Sequence, residues 1–231
     1  MAPVGLRRLT MPLRPLADVS PAEWFVGDDA PPALRANLGP SGFESYVRVL
    51  HSPMGPGDDR YEGHLEQHLL DALCEVLARH TTAADDCFFG LWDGYGELYG
   101  GEAVGFLTAF SGPMRWPGRI FGKEKPPPPI PPAFPVSVLE GPKVTFLHDY
   151  LLFGGPLSAA GEWGAASYGH AISRDINSPN LIWPADHAWF VTTNIEGTWT
   201  GVGGSAALIH DLLAESRLEV VRTRYDEGAL R

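Results

Sequence analysis

Cysteine is scarce in this chain, with two thiols, Cys74 and Cys87, among 231 residues. They lie in no CxxC or Cys/His zinc spacing, so they read as buried free thiols of a reducing cytosol rather than a disulfide framework or a metal knuckle. Long apolar runs are missing too. No window of about 18 apolar residues is present to span a membrane. The stretch from Leu9 to Leu16 is broken by Pro12, Arg14 and Pro15, which leaves no apolar core for a secretory signal. Positive charge is also in short supply: 17 Lys and Arg face 28 Asp and Glu, a formal net charge of −11. A field of that sign repels phosphate backbones and anionic lipid, which argues against nucleic-acid and membrane-surface roles. It leaves room for a cationic small molecule or a basic protein partner. A soluble, cytoplasmic protein is expected.

What is present is ordinary globular material, 44% hydrophobic and 19% charged, with 27 glycines and 22 prolines that favour turns and short elements. A chain of this length buries roughly three quarters or a little less of its unfolded surface without a staple. An irregular arm occupies residues 1–19, and Ser20-Pro21-Ala22 opens a short helical turn carrying Trp24 and Phe25. Alternation predicts a strand over Phe43 to His51, and a 3.6-residue apolar stripe predicts a helix from about Tyr61 to His80. Strands are expected at Cys87 to Trp92, Val144 to Phe153, Ala188 to Ile195 and Thr198 to Val202, with a last one at Leu218 to Thr223. Ser205 is positioned to cap a second main helix, Ala206 to Glu215. Residues 112–135, centred on KEKPPPPIPPAFP, read as a proline-rich insertion in extended conformation. Strands and helices without regular βαβ alternation predict a single α+β domain built on a mostly antiparallel sheet.

Four blocks carry a resemblance: GPSGFESYVRVLH (Gly39 to His51), LARHTTAADDCFFGLWDGYGEL (Leu77 to Leu98), DYLLFGGPL (Asp149 to Leu157) and SPNLIWPADHAW (Ser178 to Trp189). Together they resemble a family of uncharacterised actinobacterial proteins, whose last block tends to carry tryptophan at Ile182 and arginine at His187. The resemblance implies a soluble fold and brings no activity with it.

Candidate chemistry is dispersed. The loop WDGYGELYGGE offers Trp92, Tyr95 and Tyr99 as aromatic walls and Asp93 and Glu97 as an acid or base. His148-Asp149 and Asp186-His187 each place an imidazole beside a carboxylate. Trp183 and Asp186 complete the positions a pocket would use, with His148 and His187 as further acid–base groups. On a helix His64, His68, Asp71 and Glu75 would share one stripe, a donor set suited to a divalent ion. That stripe lies nearly opposite the apolar one and lacks the HExxH order, so it reads as a solvated face, and neither metal nor cofactor is expected. Gly201-Val202-Gly203-Gly204-Ser205 lacks a Walker lysine and reads as a tight strand-to-helix turn.

Two function classes remain. The first is a non-catalytic module that binds a protein partner, of regulatory or immunity type, with a homodimer as one form. The second is an enzyme that uses Glu97, Asp93, His148 or His187 for acid–base catalysis on a small organic ligand, held where Trp92 to Tyr99 meets Trp183 to Trp189.

Overall fold

The computed structural model describes residues 12–54, 60–100, 130–168, 174 and 176–227. Residues 1–11 of the N-terminal arm and 112–129 of the proline-rich insertion lie outside the described residues. The chain forms two compact units. The first comprises Met1–Trp92, Pro142–Gly164 and Asn177–Arg231, the second Asp93–Gly141 and Ala165–Ile176.

The fold is α+β and dominated by an antiparallel sheet, as its turn-rich composition and non-alternating elements predict. Among the described residues the strands are β1 (Arg14–Pro15), β2 (Ser45–Leu50), β3 (Cys87–Trp92), β4 (Val144–Thr145), β5 (Asp149–Gly155), β6 (Leu181–Pro184), β7 (Phe190–Thr193), β8 (Trp199–Gly204) and β9 (Val220–Thr223). All belong to the first unit. They form one sheet in the order β1-β5-β3-β6-β7-β8-β2-β9, with β4 also on β5, and every pairing is antiparallel. The helices are α1 (Glu23–Val26), α2 (Pro32–Leu38), α3 (Gln67–Leu77), α4 (Val136–Leu139) and α5 (Ala206–Ala214).

Side chains alternate across a strand, so each face of the sheet gathers its own layer. On one face Tyr150, Leu152, Leu181, Trp183 and Phe190 pack with Phe25 of α1. Phe25 meets Trp183 and Phe190 edge-on at 4.8 Å each, a geometry in which ring edges face the negative faces of their neighbours. On the other face α5 packs on β2, β8 and β9, and α3 packs on α5. The buried stripe of α3 is Leu69, Leu70, Ala72, Leu73, Cys74, Val76 and Leu77. Each buried leucine there contributes about 1.5–3 kcal/mol by removal from water.

The glycine run after Trp199 corrects the reading of it as a turn. Gly201, Gly203 and Gly204 belong to β8 itself, and none has positive φ. What they provide is closeness: a Cβ on Gly201 would stand 2.0 Å from the Asn37 carbonyl oxygen at the end of α2. Ser205 does cap α5, its Oγ accepting from the Leu208 N–H at 3.2 Å. The expected strand Val144 to Phe153 is broken into the β4–β5 hairpin, with His148 in the turn.

The second unit contains α4 and a 3-10 turn, Gly96–Leu98. Arg174 ties three of its segments together, donating to the carbonyls of Ala166, Glu97 and Pro131. Its guanidinium lies 4.5 Å from the centre of the Tyr168 ring, so the charge is met by carbonyl dipoles and a π face.

Candidate functional site

The tryptophan loop is the place to begin. Trp183 is fully buried. It stacks on Phe88 at 5.5 Å and on Phe190 at 5.9 Å, so it is a core residue of β6 and not the wall of a pocket.

Asp186 holds the loop in place. Its carboxylate accepts from the Thr81 and Thr82 hydroxyls, the Thr82 N–H and the Ala188 N–H, at 2.8–3.2 Å. Partial burial works against ionisation, but these hydrogen bonds together outweigh it and keep the carboxyl below its ordinary range. His187 turns elsewhere. At φ 54 it occupies the left-handed region, and its ring stacks flat on Trp24 at 4.3 Å with a 17° tilt. Burial against Trp24 and its surroundings pushes the imidazole below its ordinary value, with Asp186 opposing. The two neighbours therefore serve different partners.

Trp92 and His148 come near one another in the first unit, their rings 5.9 Å apart and tilted by 59°. Asp93, Tyr95, Glu97 and Tyr99 belong to the second unit around its 3-10 turn. There the Tyr99 hydroxyl donates to Asp93, and burial together with that carboxylate raises the phenol to about 12. The Glu97 carbonyl is one of the Arg174 acceptors.

Of the metal set, His68, Asp71 and Glu75 stand on α3 and His64 does not. α3 starts at Gln67, so His64 lies outside it, and its Nδ1 accepts from the Ser178 N–H at 3.0 Å. Asp71 accepts from Gln67 at 2.8 Å, and Glu75 pairs with Arg217 at 2.7 Å. Among the described residues no group of three or more His, Cys, Asp or Glu is placed to hold a metal ion.

Sequence reasoning missed His51. It directly follows β2 and is fully buried. Its Nδ1 lies 2.6 Å from the Tyr61 carbonyl, which can only accept, so that nitrogen carries the proton. Nε2 then accepts from the Thr200 hydroxyl at 3.0 Å, and Thr200 accepts from Thr193 at 2.8 Å. Burial pushes the imidazole below its ordinary value; Glu66 nearby opposes, while His64 and Arg60 add to the shift. The alternation that marked β2 could have flagged it, as a polar residue at the strand's inward end.

Among the described residues, two concavities of the first unit stand out. A shallow groove of about 670 Å³ runs beside β9, lined by Phe43, Glu44, Tyr46, Arg222, Arg224 and Tyr225 among others. Its tyrosines are fixed: Tyr46 donates to the Pro40 carbonyl at 3.0 Å and Tyr225 to the Gly39 carbonyl at 2.8 Å. A second hollow of about 490 Å³ lies against α3. None of the nine candidate catalytic and ligand-binding side chains lines either one. Among the carboxylates displaced from their ordinary range, Asp18, Glu66, Asp186, Asp211 and Glu215 all move down. A general acid at neutral pH needs the opposite displacement.

Compared with protein-family models, curated proteins and solved structures, the chain matches none of them. Among the described residues no helix is long and apolar enough to cross a membrane.

Proposed function

We propose that this protein is a non-catalytic binding module that takes an extended segment of a protein partner on the open edge of β9. The observation that carries this reading is the end of the sheet. β9 pairs with β2 on one side, and among the described residues no strand covers the other. The Leu50 N–H donates to the Glu219 carbonyl, which makes Leu50 and Glu219 a hydrogen-bonded pair. In an antiparallel ladder such pairs alternate, so Val221 and Thr223 turn their backbone groups toward β2 while Val220 and Arg222 turn theirs outward. Val221 is also 39% exposed, and the 670 Å³ groove adjoins the strand. An added strand bonds to such an edge through its main chain and sends alternate side chains into an adjoining groove. The net charge of −11 favours a basic partner. Two free, buried thiols fit a cytoplasmic setting.

The test uses Val220→Pro and Arg222→Pro, each of which removes an outward N–H without removing a bond to β2. Partners captured by the wild-type protein are identified, purified and titrated against both variants. Affinity is expected to fall about tenfold or more per lost main-chain bond and its neighbours. Equal binding by wild type and variants overturns the reading. So does a wild-type homodimer that disperses on either substitution, because a second copy would then occupy the edge.

A further inference from the structure

Residues 60–66, between β2 and α3, form a strap across one end of the sheet, and two histidines fasten it. The Arg60 guanidinium pairs with Glu219, which directly precedes β9, at 2.9 Å and also donates to the His51 carbonyl. The next carbonyl, that of Tyr61, accepts from His51 Nδ1–H at 2.6 Å. Further along, the Gly63 N–H donates to the Gly197 carbonyl at 2.8 Å. A Cβ on Gly63, φ +65, would stand 2.4 Å from the Ile195 carbonyl oxygen, so the strap lies flat on the turn between β7 and β8. Ser178 holds the last part twice. Its Oγ accepts from the Leu65 N–H at 2.9 Å, and its own N–H donates to His64 Nδ1 at 3.0 Å.

Both histidine contacts suit a neutral imidazole. A backbone N–H can only donate, so a proton on His64 Nδ1 would set two donors against each other and break the bond to Ser178. At His51 the one proton is already on Nδ1, so a second must go to Nε2, where Thr200 now donates. Thr200 and Thr193 would both have to turn their hydroxyls. The new charge would find little to meet it. His51 is fully buried, and among the described residues no carboxylate is bonded to it. β7 and β8 offer it only the Thr193 and Thr200 hydroxyls. From the strap, Arg60 and His64 repel it, while Glu66 just before α3 attracts it and Glu219 is engaged by Arg60. With the strap off, both imidazoles would take their protons in water.

We propose that residues 60–66 are an acid-released strap: neutral His51 and His64 fasten it, and their protonation frees it together with the Glu219 entry to β9. Arg60 joins the two events, because it spans the strap and Glu219. The strap does not depend on the β9 edge having a partner, since its release is read on the protein alone.

Amide hydrogen exchange of the full chain at pH 7.5 and 5.5, corrected for intrinsic exchange at each pH, tests this. The N–H groups of Gly63, Leu65 and Ser178 report the strap, and that of Leu50, which donates to the Glu219 carbonyl, reports the entry to β9. Their protection is expected to fall about tenfold or more at pH 5.5, the change that one proton taken up near the ordinary value of 6.5 produces over that interval. At both pH values they should remain less protected than the amides of β3 and β5. His51→Gln is expected to remove most of the change. Adding His64→Asn, whose side-chain oxygen can accept from Ser178 at either pH, is expected to remove the rest. The proposal is overturned if the four amides are equally protected at the two pH values, or if the double variant responds as wild type does. It is also overturned if these amides are protected only as well as β3 and β5 are, which would mean that acid acts through global unfolding. The wild-type comparison decides even where a variant fails to fold, and failed partner binding at β9 leaves it unchanged.

Discussion

Gly201→Ala adds a single methyl group at the most crowded of the described glycines. Its carbon would stand 2.0 Å from the Asn37 carbonyl oxygen, 3.0 Å from its carbon and 3.1 Å from Leu38 Cα, all backbone atoms that no rotamer change can move. Either the end of α2 lifts or β8 bends. Lifting α2 strains the bond from Thr192 Oγ1 to the Ala36 carbonyl (3.1 Å) and that from Asn194 Nδ2 to Asn37 Oδ1 (2.9 Å), and it unseats the fully buried Leu38. Overpacking of this kind costs about 1–3 kcal/mol, and each hydrogen bond lost adds about 1 kcal/mol. Stiffening of the unfolded chain by alanine returns about 0.4–1 kcal/mol. A net loss of about 2–4 kcal/mol is expected, or about 5–15 °C in Tm for a chain of this size. Urea denaturation followed by tryptophan fluorescence measures it. Gly27→Ala is the control, since its nearest neighbour is 4.0 Å away and its φ is −83. Stability of Gly201→Ala within about 0.5 kcal/mol of wild type would refute the claim that β8 carries glycine for close approach.

Asp186→Asn is expected to cost about 1 kcal/mol at pH 7 by weakening the bonds from Thr81 and Thr82. A carboxyl held low stabilises the fold above its unfolded value of 3.8 and ceases to as pH falls through its lower folded value. The variant should therefore show a flatter acid limb below about pH 4 in denaturation midpoints, and an unchanged limb would sink the assignment. His51 titrates in a different window. Its folded form resists protonation, so stability is full above the unfolded value of 6.5 and declines as pH drops below it. The slope approaches about 1.4 kcal/mol per pH unit for one proton. His51→Gln should remove most of the decline between about pH 6.5 and 5, and a variant that keeps the wild-type slope would show the proton goes elsewhere.

Periodicity carried the fold as far as local pattern determines structure. The Cys87–Trp92 strand and the Ser205 cap stand where predicted because each depends on neighbours in sequence. The long helix shortened to Gln67–Leu77, because the apolar stripe runs on into a 3-10 turn and the chain before Gln67 is bonded to Ser178. β6 gives no strand signal, since proline and asparagine at its ends are turn residues and its four positions are too few to show alternation. In fact all four are buried, which abolishes the alternation. α2 is marked only at its ends, by Pro32 at its start and Gly39 after its end.

Candidate site residues are harder to read locally for a related reason. Dense clusters of aromatic and ionisable residues within one stretch of sequence are also what a sheet uses to fill its core and pin its turns. Trp183 went to packing, Asp186 to two threonines, and His187 to Trp24. A surface fit for recognition draws instead on residues too far apart in sequence to look like a motif. The β9 groove joins residues near 43–46 to residues 222–227.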